Sequence, residues 1–289
     1  MVLESFKNPV SAVSKPWHML FVGLVYATVA IFLSLWIFKQ YASLVMVFLT
    51  VFACVPLIYN SLKQQEKVDM EAGSEKVIMK NHARVLEFLL FLFLGFVIAY
   101  SAAFVFLPSA DVGGVFKSQI ETIGAINSQL SGEQPINADV TSTDFFSQIF
   151  FNNIKVLLFC IFFSFFYGAG AIFILTWNAS VIGAAMGIFM KNKMAEMLAS
   201  LGALNAFNYF QVASLGILRY MIHGIPEIAA YFVGGMAGGI ISVAMINHDL
   251  ETNRFGVIMM DSLDLFVLAV FLLFFAGLLE VFVTPIFFY

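Results

Sequence analysis

The chain has 289 residues, of which 61% are hydrophobic and only 11% charged, with a formal net charge of −4. Its mean hydropathy is +0.94. These values exclude a soluble globular domain of this size and a basic nucleic-acid-binding surface, and they place the chain among polytopic membrane proteins. The two cysteines, Cys54 and Cys160, each lie inside an apolar run, which reads as small buried hydrophobes rather than a disulfide or a metal site.

The N-terminal stretch carries Glu4, Pro9 and Pro16 and lacks the layout of a cleaved signal peptide, so the first membrane helix is expected to stay in the mature protein. Trp17 to Phe38 reads as the first span, with Trp17 and Trp36 as interfacial anchors. After a turn at Lys39 and Gln40, Tyr41 to Tyr59 runs back. The segment Asn60 to Val85 carries Lys63, Lys67, Lys76, Lys80 and Arg84 among Glu66, Asp69, Glu71 and Glu75. The positive-inside rule makes it cytoplasmic, and the N-terminus with it.

Leu86 to Leu107 is the third span. Ser109 to Thr143, polar and acidic, reads as an external loop long enough to carry a helix or to dock on the membrane face. A short interfacial helix is expected over the run that starts at Asp144. Asn153 to Leu175 is the fourth span, with Trp177 and Asn178 at a turn on the inner surface. Ser180 to Met190 is short, so it is either a tilted helix or a re-entrant segment, and Lys191 to Gln211 reads as a polar connection. Ile225 to Ile246 is a glycine-rich span, and Leu265 to Phe288 is the last. The expected fold is all-α and polytopic, with about seven transmembrane helices, and a re-entrant fifth segment reduces the count to six. The domains are 1–85, a transmembrane hairpin with its charged loop, and 86–289, a five-helix membrane core with the external loop 109–143. With seven spans the C-terminus is external.

The richest stretch runs from Arg219 to Ser242. Pro226 is expected to start a helix there, with Glu227 in its first turn. Gly183 and Gly187, Gly234 and Gly238, and Gly235 and Gly239 form small-xxx-small patterns that allow close helix approach. They serve internal packing or a homo-oligomer equally. The candidate polar pocket comprises Asn152, Asn153, Asn178, Arg219, His223, Glu227 and Glu280, because a solitary ionisable group in hydrocarbon is costly whereas clustered ones satisfy one another. Of these, Asn152, Asn153, His223, Glu227 and Glu280 are expected to converge in the outward half of the membrane.

Several motifs are shared with a known family. Asn152-Asn153, Tyr167-Gly168-Ala-Gly170, Trp177-Asn178, His223-Gly224-x-x-Glu227 and Glu280-x-Phe282-x-Thr284-Pro285, in this order, resemble the stage II sporulation protein M family of integral membrane proteins over roughly residues 86–289. The resemblance implies an all-helical membrane protein. It also implies a role beside peptidoglycan hydrolases, as a membrane partner and not as the hydrolase.

Three readings of the pocket compete. In the first it is a hydrogen-bonded staple in a non-enzymatic scaffold that recruits envelope proteins, whose partners are membrane lipids, those proteins and, if the glycine faces serve it, a second copy. The second is a transporter or channel. The third is an intramembrane metal-dependent enzyme, although His223 with Glu227 lacks the second histidine of the helical zinc-protease motif. No cofactor and no nucleic acid are expected, no catalytic residues are readable, and a metal is left open.

Overall fold

The computed structural model describes residues 16–71, 75–131, 142–167, 171–246 and 254–288. Among these the chain is helical, and strands are absent. The helices are α1 His18–Ile37, α2 Ala42–Glu71, α3 Glu75–Phe106, α4 Ser109–Val115, α5 Lys117–Ser131, α6 Ser142–Tyr167, α7 Ala171–Leu201, α8 Ala206–Ile246 and α9 Arg254–Leu278. A π-helical turn, Leu279–Val283, then leads into α10, Thr284–Phe288. Seven of these segments are long and apolar enough to cross a membrane. Backbone groups in hydrocarbon must be satisfied within their own segment, and a helix does this.

Helix α1 lies against α2 and α3, and α3 in turn packs along α7. On the other side α8 is flanked by α6 and α9, and the two groups meet where α7 touches α8. Glycines set the closest approaches. A Cβ on Gly95 would sit 3.0 Å from the Cα of Gly23, so α1 and α3 touch backbone to backbone. On α7, a Cβ on Gly183 would fall 2.6 Å from Tyr100 Cβ, and one on Gly187 would fall 2.6 Å from the Phe104 ring. Gly234 lies against Leu157 and Gly238 against the Ile161 carbonyl, which fixes α8 on α6. These glycines are therefore consumed inside the fold. Around Gly239 there is open space, and Gly235 is partly buried.

Several expected boundaries are corrected. Pro226 does not start a helix but lies inside α8, which runs unbroken for 41 residues. Proline removes one backbone bond and crowds the preceding turn, and packing of α8 between α6, α7 and α9 outweighs that local preference. Glu227 consequently stands near the middle of its helix and not at its outer end. Trp177 and Asn178 lie within α7, near its start, and form no turn between spans. Ser180 to Met190 is the centre of a full span, Ile172–Leu201, which removes the re-entrant alternative. The stretch from Asp144 belongs to α6 and is no separate interfacial helix.

The expected connections also shrink. Only residues 202–205 join α7 to α8. Gly202, at φ 74°, closes α7 in the left-handed conformation and donates its N–H to the Leu198 carbonyl at 2.9 Å. Asn205 and Asn208 then cap α8 reciprocally: each side-chain oxygen accepts the other's backbone N–H, at 2.9 and 3.1 Å. The charged segment continues α2 to Glu71 and opens α3 at Glu75, while its side chains from 59 to 82 lie outside the described residues. Within the presumed loop 109–143, Val115, Phe116 and Gln119 are fully buried. Gln119 Nε2 donates to Ser180 Oγ at 3.0 Å and to the Ser43 carbonyl at 3.3 Å, so the start of α5 plugs the space between α2 and α7.

Candidate functional site

Helix α8 carries Arg219, His223, Glu227 and Tyr231 at intervals of four residues. At 3.6 residues per turn such positions drift by roughly 40° per step, so they form one slowly winding polar stripe. The stripe meets the end of the last span. His223 Nδ1 lies 3.3 Å from Thr284 Oγ1, and Thr284 donates its single hydroxyl proton to the Leu279 carbonyl at 3.0 Å. The threonine oxygen can then only accept from histidine, which places the imidazole proton on Nδ1 and leaves Nε2 as an acceptor.

Tyr231, fully buried, donates its hydroxyl proton to Glu227 Oε1 at 2.7 Å. Glu280 stands close enough for its carboxyl to interact electrostatically with both Glu227 and Tyr231. Among the described residues its carboxyl makes no hydrogen bond. Glu280 occupies the second position of the π turn. Pro285 accounts for that turn: its ring would crowd the carbonyl four residues back, and an extra residue in the preceding turn relieves the clash. The wider turn also lets Thr284 reach the carbonyl five positions earlier.

Arg219 lies with its guanidinium 5.1 Å from the Phe189 ring centroid and 5.9 Å from that of Tyr220, and within electrostatic range of His223. Cation–π contact with α7 thus anchors the N-terminal end of the stripe. The asparagines divide. Asn153 is buried and Asn152 is exposed. Because Leu157 abuts Gly234 and Ile161 abuts Gly238, Asn153 falls one turn earlier on the same seam, about level with Ala230. Asn178 is partly buried within α7, and its side-chain nitrogen has no hydrogen-bond partner. Glu227 and Glu280 thus lie within electrostatic range of each other, His223 is joined to Thr284, Asn153 is buried and Asn152 is exposed.

Two members of the cluster were not singled out from the sequence. Tyr231 continues the four-residue spacing from Glu227, a signal that extending the stripe by one step would have found. Thr284 lay in a recognised motif without an assigned role. Among the described residues, no three His, Cys, Asp or Glu side chains come together as a metal-binding group. An open cleft between α3 and α8 is lined by apolar residues including Leu90, Phe91, Met221 and Ile228, with Glu87 at its edge, and by none of the polar cluster.

Comparison with known proteins agrees with the motif order. No curated protein and no solved structure matches the chain. The family model described as stage II sporulation protein M matches residues 85–285, which takes in most of α3 and all of α4 to α9 and leaves α1, α2 and the start of α3 before it. This multi-pass membrane protein belongs to the stage II sporulation protein M family.

Proposed function

We propose that the protein is a non-enzymatic component of the cell membrane that works by holding envelope proteins together, with its N-terminus cytoplasmic and its C-terminus external. The observation that carries this reading is the use made of the ionisable groups of α8 and α9. His223 of α8 pairs with Thr284 of α10, while Glu227 pairs with Tyr231 inside α8, so the cluster ties α8 to the end of the last span and satisfies the Glu227 carboxyl locally. The apolar cleft beside α8 reaches none of these groups, which favours a staple over a passage. The orientation follows from the basic residues between the second and third spans.

A transport reading draws on one specific feature: Glu280, in a π turn within the membrane, has a carboxyl without a hydrogen-bond partner among the described residues. Flux of protons and small cations into proteoliposomes separates the two. The scaffold reading expects no flux above empty vesicles, for wild type and for Glu280→Gln alike. Flux that disappears in Glu280→Gln would replace it with transport.

A further inference from the structure

We infer that the protein pairs with a second copy of itself within the membrane, through the outward faces of α6 and α9, with Lys155 of each copy meeting Asp264 of the other. The inference goes beyond the scaffold reading and does not depend on it.

Lys155 is exposed on α6, inside the span Thr143–Ser164. It lies nine residues from Ser164, about 14 Å along the helix at ~1.5 Å per residue, and farther still from Thr143. A lysine stem placed there does not bring its ammonium to either end of the segment by snorkelling. Its neighbours on the same face, Phe151, Phe159 and Phe162, are exposed aromatic side chains suited to an apolar surround. On α9, Asp264 is exposed within the span Phe255–Phe287, between the exposed Met260 and Val267. Neither residue forms an ion pair among the described residues. Each is an ionisable group exposed on a helix long and apolar enough to cross a membrane, where such groups take partners.

The two helices give them the same depth. Helix α6 runs parallel to α8, since Leu157 and Ile161 meet Gly234 and Gly238 in the same order. Helix α9 runs antiparallel to α8, since His223 meets Thr284 and Ser262 Oγ donates to the Ala237 carbonyl. The rings of Phe146 and Phe274, 5.2 Å apart, therefore fix a common level for α6 and α9. From there Lys155 lies nine residues along α6 and Asp264 ten residues back along α9, descents of about 14 and 15 Å at ~1.5 Å per residue. A two-fold dimer whose copies share one membrane orientation has its axis along the membrane normal, which preserves depth and makes the contact self-complementary. Lys155 of one copy then faces the partner's Asp264, and the reverse pair forms on the other side of the axis. The patterns Gly183–Gly187 and Gly234–Gly238 are not available for this role, because they are occupied within the fold.

The test uses the full chain in native membranes. Two differently tagged copies are co-expressed, one with Lys155→Cys and the other with Asp264→Cys, and oxidised with copper phenanthroline. Each heterodimer keeps one intact charge pair, and the native Cys54 and Cys160 are buried. A covalent dimer carrying both tags is expected. In parallel, dimer fraction is measured by single-molecule photobleaching in liposomes. Lys155→Asp and Asp264→Lys should each lower it at least tenfold, and the double reversal should restore it. Absence of the 155–264 disulfide would overturn the proposal. So would a dimer fraction unmoved by the reversals, or capture of a different protein by a photo-cross-linker at position 152. If a single reversal fails to accumulate, the disulfide result decides alone.

Discussion

The two groups of helices solve the problem of polarity in hydrocarbon differently. Around α1, α2 and α3 the buried polar groups are hydroxyls: Ser34 donates to the Ile31 carbonyl and Thr50 to that of Met46 within their own helices, and Tyr100 of α3 pairs with Thr50 of α2 at 2.9 Å. Around α6, α8 and α9 the cluster contains an imidazole and two carboxyls: His223 pairs with Thr284 across helices, and Glu227 pairs with Tyr231 within α8. A helix that closes its own hydrogen bonds can pack on any apolar neighbour, whereas one with ionisable groups must find particular partners. The first region is joined by shape and the second by chemistry.

Substitutions can break that contrast. The largest effect is expected where shape alone decides: Gly95→Leu drives a side chain into the backbone of α1 and should cost about 3 kcal/mol or more. Folded yield and unfolding temperature in detergent measure it, and a well-folded variant would refute the backbone contact. Next comes Tyr231→Phe, which leaves the Glu227 carboxyl without its donor and should cost roughly 1–3 kcal/mol. The same deletion in the other region, Tyr100→Phe, should cost about 1 kcal/mol or less, since Thr50 keeps its bond to Met46. Equal losses for the two tyrosines would erase the distinction between the regions. The smallest change is Gly239→Ala, which meets nothing within 4 Å. It should be neutral or raise stability by about 0.5 kcal/mol, through lower backbone entropy in the unfolded chain.

The comparison also bears on the family. The match starts at residue 85, so α1 and α2 precede it, yet Gly23 and Gly95 hold α1 to α3 as closely as any pair in the matched region. The N-terminal hairpin is thus packed into the bundle and not appended to it. The polar stripe and its partners His223, Glu227, Glu280 and Thr284 lie inside the matched region.

The hydropathy of the chain determined by itself that the protein is an all-helical, multi-pass membrane protein, because twenty or so apolar residues in hydrocarbon have no other way to satisfy their backbone. Spacing also made Gly183, Gly187, Gly234 and Gly238 legible as contact positions, and the scarcity of ionisable residues drew attention to His223, Glu227 and Glu280. Boundaries were less legible. Pro226 has the local preferences of a helix start, and Trp177 with Asn178 those of a turn, but packing on both sides of α7 and α8 overrode them. Lys155 and Asp264 looked unremarkable because a sequence does not say which face of a helix turns outward. Only the tertiary structure decided that His223 meets Thr284 across a π turn, that Asn153 turns inward and Asn152 outward, and that Lys155 and Asp264 share a depth. The physical reason is that periodicity fixes the angle between residues on one helix, while the rotation and level of one helix against another are set by side chains far apart in the chain.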